Sequence, residues 1–480
     1  MGHACGSVMG HACGSGANRK VRRLSKNTSA TGPEGTPSVA FLNPWIIYAV
    51  ICAAVLVLYS LGWSNLYAPL KPGLLTFLIA TIVVAAFMGA GLQRRLRALP
   101  SEGPAVEAHK APKWVTIVIV VGFLGQFAYL GHAPLIDNLI LHAGYDYGDF
   151  PGIPVLNVLL VTFSIFYSTL LAYRASRAVG RRRLSLAVQF AAIQSMFLLL
   201  LNRGAIVLCL IMASFIFLSR ARLTGRRIVG AAIAALIVMY VFGGLGNLRF
   251  GFGFNDSSYM IQISEVTDRY PSALPGQFLW TYMYFVIPLG NLNDVVGTLP
   301  PTYSFSDMVV NMLPDFLTKR FFPAFDATTP LTVPYFNVST GYAAAWEFNG
   351  YLGLCAMYLA VMVIATIAPR VARPSWERAS WAVSCGIVAF MFYGNALSYS
   401  GVSLALAFPV LGSLVGATPP NRLTEEGTPE DLGRLPERRT PSGSEPHPDG
   451  GLGDVRSGRA AASSCRAVMR LLRGCLRDGG

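Results

Sequence analysis

The sequence predicts an all-α polytopic integral membrane protein, with about ten transmembrane helices and one large outer loop containing short helices. Three observations predict it. Hydrophobic residues make up 53% of the 480 residues and charged ones only 13%, with a mean hydropathy of +0.49, outside the range of an ordinary soluble domain. Apolar runs long enough to cross about 30 Å of hydrocarbon recur along the chain. The basic residues, finally, are segregated. Of 38 Lys and Arg, 32 fall in the segments 19–26, 94–113, 174–183, 220–227 and 370–378 and in the tail after residue 418. By the positive-inside rule these segments and both termini are cytoplasmic. The net charge of +14 is therefore a topology signal, and it does not point to nucleic acid.

Taken in order, residues 1–40 form a basic cytoplasmic tail. It opens with the near-repeat "MGHACGSV" and "MGHACGSG", so Met9 is an alternative start. His3/Cys5 and His11/Cys13 lack the spacing of a closed zinc site, and no metal is expected. The first apolar run begins after about forty polar residues, which does not match a cleavable signal peptide. The membrane domain is placed at 41–417, with spans at 44–62, 73–92, 114–131, 153–173, 184–201, 205–219, 228–246, 350–368, 380–396 and 401–417. Residues 418–480 are rich in Pro, Gly, Glu and Arg and read as a disordered cytoplasmic tail, although "CRAVMRLLRGCLR" (465–477) suits an anionic membrane surface.

The connections on the other side carry eleven acids against six bases. One of them, 247–349, runs for roughly a hundred residues and is too long to be a mere connector. Its apolar piece "FLWTYMYFVIPLG" (278–290) is too short for an ordinary span. A crossing there would also need a second one to restore the topology, so it reads as a re-entrant or surface-lying helix. None of the eight cysteines falls in an outer loop, so disulfides are not expected there.

Two arginines interrupt this pattern. The apolar run 184–219 would be about 54 Å long as one helix, yet both its ends abut arginine clusters. It must be a hairpin, with Asn202-Arg203-Gly204 as the outer turn. A turn needs Gly and tolerates Asn, but it does not need Arg. Arg203 is either a snorkelling anchor or a cation aimed at an anionic ligand. Arg249 repeats the placement at the outer end of the seventh span, in "FGGLGNLRFGFG". A guanidinium fork suits diphosphate oxygens, so an anionic lipid headgroup is a ligand both positions can share.

The order of features then resembles a family. An outer hairpin "NRG" is followed by a long outer loop, by "WTYMYFVIPLGNLNDVV" (280–296), and by "FNVSTGYAAAWEFNGYLG" (336–353) entering the next span. This is similar to the Wzy-type oligosaccharide repeat-unit polymerases of bacterial O-antigen and capsule assembly. The matching positions are Tyr284, Pro288 and Asn291-Leu292, then Asn337, Thr340 and Glu347-Phe348-Asn349, with Asn349 where Gly is usual and Glu347 where Asp is common.

The resemblance implies a glycosyltransferase of the bacterial inner membrane. It would join glycan units carried on polyprenyl diphosphate at the outer leaflet, without a cofactor, working with membrane lipid and with the pathway's flippase and chain-length regulator. Arg203 and Arg249 would stabilise the leaving diphosphate, with Arg269, Lys319 and Arg320 behind them. Tyr284, Asn291 and Asn337 are expected to bind substrate. Glu347 is the expected base for the acceptor hydroxyl; a carboxylate favoured by a helix N-terminus is its bland alternative. His132 and His142 are weaker choices. A lipid-linked glycan ligase differs only in acceptor. A metal-dependent transferase using polyprenyl-phosphate sugars would carry a tight acidic pair in the first outer loop, which "NLYAPLK" (65–71) lacks. A transporter would show inverted repeats or several mid-span charges, and neither is evident.

Overall fold

The computed structural model describes residues 39–97, 112–141, 150, 152–153, 155–221, 224–250, 252–325, 331, 338–372 and 376–415. The chain divides into two units, Met1–Thr418 and Pro419–Gly480, and the second lies outside the described residues, as do the N-terminal tail, His142 and Asn337. Among the described residues there are helices and one isolated antiparallel bridge, Ser64 with Val266, but no strand.

The first helix, α1 (Pro44–Ser60), starts where the sequence can start one. Pro44 occupies the first helical position, and the Asn43 Oδ1 accepts from the N–H of Trp45 at 3.1 Å and Ile46 at 3.5 Å. There follow α2 (Pro72–Arg97), α3 (Lys113–Leu130), the short α4 (Pro134–Leu141), α5 (Leu156–Arg177), α6 (Gly180–Leu199), α7 (Arg203–Arg220) and α8 (Gly225–Arg249). Helices α2, α3, α5, α8 and α13 are long and apolar enough to cross a membrane, whereas α1 and α7 are shorter apolar helices. Arginines gather at one end of this bundle: α2, α5 and α7 finish on Arg97, Arg177 and Arg220, and Arg183 of α6 lies over the Phe217 ring of α7. We call this the basic end and the opposite one the long-loop end.

Between α8 and the last helices come α9 (Ser258–Ile263), α10 (Gln277–Thr298), α11 (Phe305–Asn311) and α12 (Asp315–Phe321). Then follow α13 (Ala343–Val371), α14 (Glu377–Phe390), α15 (Ser400–Ser403), a 3₁₀ turn and α16 (Ala407–Val415). The tenth predicted span is thus broken into short pieces.

The apolar piece 278–290 is part of a longer element than its composition suggests. Helix α10 has 22 residues. Its start packs on the last turns of α8, where Phe242 meets Tyr284 at 5.1 Å and the Trp280 indole donates to Asn247. Its middle lies beside Trp63 and Tyr67, and its end beside Lys71. All these partners belong to the long-loop end, and α10 makes its most extensive contact with α8. It is buried along most of its length, including the polar Asn291 and Asn293.

The core combines bulky side chains such as Trp381, Tyr48 and Phe123 with small hydroxyls. Small hydroxyls of α5, Ser164, Ser168 and Thr169, are fully buried, and Thr169 returns its proton to the Ile165 carbonyl at 3.0 Å. A buried hydroxyl chain, Tyr342 to Tyr48 at 3.0 Å and Tyr48 to Thr81 at 3.1 Å, ties the entry of α13 to α1 and α2.

Helix α13 is a folded-back pair. Asn349 and Gly350 leave helical geometry, Gly350 with φ of 55°, so a short arm Ala343–Phe348 meets a long arm at an elbow. Side chains rarely adopt that φ, which explains a glycine at the bend. A Cβ on Gly353 would collide with the carbonyl oxygen of Ala345, so the arms touch backbone to backbone. The Asn349 amide donates to the Ser304 carbonyl at 3.0 Å and holds the elbow against the segment before α11.

Candidate functional site

At the long-loop end lies a cleft of about 850 Å³. Its walls are the last turns of α1 (Leu56, Tyr59), the 61–71 connection (Tyr67, Leu70), Arg269 and the side of α10 (Tyr282, Val286). The wall mixes apolar helix side with hydroxyls, Asn65, the Arg269 guanidinium and, next to it, the Asp268 carboxylate. Such a mixed wall suits a ligand with a charged head and an apolar tail.

Local contacts build it. The connection pairs with the segment after α9 through the Ser64–Val266 bridge, Thr267 N–H to Trp63 O at 3.0 Å, and Asn65 N–H to Glu265 O at 2.9 Å. Trp63 sits between Tyr270 and Tyr282, with ring centroids 5.1 and 4.9 Å away. The Arg269 guanidinium lies directly over Gly62, its Nη1 3.0 Å from where a Cβ would stand, so that position admits no side chain without displacing the cation. The floor is fastened by two asparagines of α10. Asn291 accepts from the Tyr67 hydroxyl at 3.2 Å and donates to Val338 O at 2.7 Å. Asn293 accepts from Lys71 N–H at 2.8 Å and donates toward the carbonyls of Ala68 and Pro69.

Burial, and after it the charge of Asp294, raises the Tyr67 hydroxyl above the usual phenol range. Burial alone pushes Tyr270 up to about 12. Both therefore stay protonated and act at neutral pH as hydrogen-bond donors. Asp294, half-buried on α10, is the carboxylate whose charge reaches the cleft tyrosines.

The other predicted residues are distributed around this end. Arg203 is the first residue of α7 and not part of the turn. Leu200 to Asn202 make the turn, and Asn202 caps the helix by accepting from Ala205 N–H at 3.0 Å. Arg249 is the last residue of α8. The side chains of both arginines lie outside the description. Tyr284 packs on α8, away from the cleft lining. Glu347 lies in the short arm of α13, a full turn beyond the arm's start, so it is not in the first turn where a helix dipole would hold it. Its carbonyl accepts from the N–H of Thr302 at 2.8 Å, and the neighbouring Trp346 indole donates to Leu299 O at 2.9 Å. Among the predicted residues whose side chains are described, Arg269 alone lines the cleft, with Asn291 holding Tyr67 of its wall.

A second polar group sits on α12. Burial raises the Asp315 carboxyl, and Lys319 one turn later opposes that rise. Tyr399 feels the Asp315 charge, and Asp315 N–H donates to Ser398 O at 2.7 Å. Lys319 and Arg320 form the last turn of this short helix. His132 Nδ1 approaches the Asp137 carboxyl at 3.2 Å, a contact remote in sequence from all of this. Among the described residues no group of three or more His, Cys, Asp or Glu is arranged to hold a metal ion.

Asn293, Asp294, Tyr67 and Gly62 were not singled out by sequence. The spacing "NLND" carried a signal for the first two: three polar residues in a buried apolar stretch need partners. Comparisons with protein families, with characterised proteins and with solved structures find no match for this chain.

Proposed function

We propose that this chain is a membrane glycan polymerase. It transfers oligosaccharide repeat units carried on polyprenyl diphosphate onto one another, at the outer leaflet of the bacterial inner membrane, with its basic end and both termini in the cytoplasm. The observation that carries the reading is the cleft at the long-loop end, which joins an exposed guanidinium, Arg269, to apolar sides of α1 and α10. A diphosphate bearing a lipid tail needs that combination, and arginine offers it a planar fork of donors.

In the reaction, the acceptor sugar's hydroxyl oxygen bonds to the donor's anomeric carbon. The bond from that carbon to the diphosphate oxygen breaks, and its electron pair leaves with the polyprenyl diphosphate. The hydroxyl proton passes to a carboxylate and then to water. Arg269 stabilises the charge that grows on the leaving group, assisted by Arg203 and Arg249, whose backbones stand at the same end, and by Lys319 and Arg320 in the last turn of α12. Asp294, beside the cleft, and Glu347, at the elbow, are the two carboxylates that fit the role of base. Transfer of a finished polymer to a different acceptor would be the same chemistry and would make the chain a ligase.

The test is chain growth by the purified full-length protein in nanodiscs, supplied with a polyprenyl-diphosphate-linked repeat unit and no nucleotide. A ladder of longer lipid-linked glycans with matching release of polyprenyl diphosphate is expected. Arg269→Ala should abolish it and Arg269→Lys restore part. Arg203→Ala should do the same without loss of membrane insertion. Of Asp294→Asn and Glu347→Gln, the one that lowers the rate by about 10²–10⁴-fold is the base. No ladder in the wild type, or a full rate in Arg269→Ala, overturns the proposal.

A further inference from the structure

We infer that a phenylalanine-walled pocket between α11, the end of α12 and the elbow of α13 binds sugar rings of the glycan that accepts the transferred unit. Its role as an acceptor subsite rests on the reading given above; the binding of sugar is tested apart from it.

The pocket has a volume of about 520 Å³, within the range of small-ligand sites. Four phenylalanines and one carboxylate stand in its wall: Phe321 and Phe322 at the end of α12, Phe325 just after them, Phe348 at the elbow, and Asp307 from α11. The rings of Phe325 and Phe348 meet at 5.6 Å with a tilt of 37°, which joins loop to elbow. One residue sets both the elbow and the carboxylate. Ser304 N–H donates to Phe348 O at 2.9 Å, and the Ser304 hydroxyl accepts from Asp307 N–H at 3.3 Å. Phe321 and Phe322 expose 66% and 43% of their surface, so core packing does not account for them.

The chemistry of the wall selects the ligand. Aromatic faces carry negative charge density and attract the weakly positive C–H groups on the side of a sugar ring. A carboxylate is acceptor-only, and its two oxygens take the hydroxyls that project from the ring's rim. The Asp307 carboxylate has no hydrogen bond or ion pair among the described residues, so its lone pairs are open to a ligand. An acyl chain is a poor occupant, because it would strip water from a carboxylate and return no hydrogen bond. An anionic headgroup is poor too, since among the described residues no Lys or Arg stands in the wall. A quaternary ammonium also suits rings and a carboxylate, and position favours the sugar over it. Phe348 directly follows Glu347, so a glycan seated on these rings lies at the elbow that carries one of the two carboxylates proposed to take the acceptor's proton.

The experiment is saturation-transfer NMR on the full-length protein in nanodiscs of deuterated lipid, with the aromatic protons irradiated. The probe is the repeat-unit oligosaccharide of the producing cell, released from its lipid by mild acid, so that it carries neither diphosphate nor tail. Its ring C–H protons should receive saturation from the wild type. Phe321→Ala and Phe322→Ala, both at exposed positions, and Asp307→Asn should each weaken binding about tenfold, the loss of one good contact or charge-assisted hydrogen bond. Phe305→Ala, exposed on α11 but outside the wall, should leave it unchanged. So should Arg269→Ala, although that variant is expected to stop chain growth. Chain growth with no saturation of the oligosaccharide, or saturation that all three pocket variants retain, overturns the pocket and leaves the polymerase reading standing. Saturation that the pocket variants lose, in a wild type that grows no chains, leaves a glycan site and overturns its role as acceptor subsite. Binding of tetramethylammonium that depends on Asp307 and the phenylalanines, with no saturation of the oligosaccharide, assigns the pocket to a cation and overturns the inference.

Discussion

Substituting Gly353 by alanine tests the backbone-to-backbone elbow of α13. The added methyl group would stand far inside the ~3.5–4.0 Å at which carbon and its neighbours rest, and what it meets is the Ala345 carbonyl, not the end of a side chain. No rotamer change relieves that clash, so the two arms must part by more than about 1 Å. Overpacking of this kind costs about 1–3 kcal/mol, and a collision with backbone belongs at the upper end. Gly350→Ala is the internal comparison. It imposes the left-handed φ of 55° on a side chain, at about 1–2 kcal/mol, and brings its Cβ to 3.1 Å from Pro301 Cγ. At about 2–4 °C per kcal/mol for a unit of 150–250 residues, and less for a larger one, Gly353→Ala should melt several degrees below wild type and below Gly350→Ala. The assay is thermal unfolding of the purified protein followed by tryptophan emission, which Trp346 on the short arm reports directly through its bond to Leu299. A Gly353→Ala protein that melts with the wild type would mean that the arms do not touch, and the elbow as described would be wrong.

Two further outcomes follow from the site. Asn293 is fully buried and satisfies the Lys71 N–H, so Asn293→Leu should lower stability by about 1–3 kcal/mol and, by loosening the 61–71 connection, weaken lipid-diphosphate binding; unchanged melting would remove its fastening role. Asp315 has a folded pKa raised by burial, so its contribution to stability is fully present below the ordinary carboxylate range and is lost as pH rises through the folded value. Relative to Asp315→Asn, the wild type should therefore lose melting temperature between acid and neutral pH, and a difference that instead grows with pH would give the dominant role to Lys319.

How much of this was legible in the chain depends on which force places each element. A bilayer leaves backbone groups no partner except their own helix, so long apolar runs bounded by arginines are expected to be helices. Helix occurs at each of the ten predicted stretches, but among the described residues only five helices are long and apolar enough to cross a membrane, the ninth ends at Phe390 and the tenth is broken. Packing between elements has no such local signature. The sequence reading starts the span at 350 and leaves "AAAWEFN" in the outer loop, and only the pair Asn349-Gly350 hints at a bend; the short arm Ala343–Phe348 folds back where Gly353 leaves room for Ala345. Helix α10 is apolar on most sides because it is enclosed on most sides, so its periodicity points nowhere, and its apolar core understates a length that Asn291, Asn293 and Asp294 continue. The cleft is the least local feature of all. Ser64 and Val266 are brought together from distant parts of the chain, and Arg269, legible only as one of six bases on the acidic side, gains its place from Gly62. A cation in a long loop is ordinarily solvated and interchangeable. Set over a glycine that leaves it room, the same guanidinium stands on the wall of a cleft whose other sides are apolar helix and tyrosine.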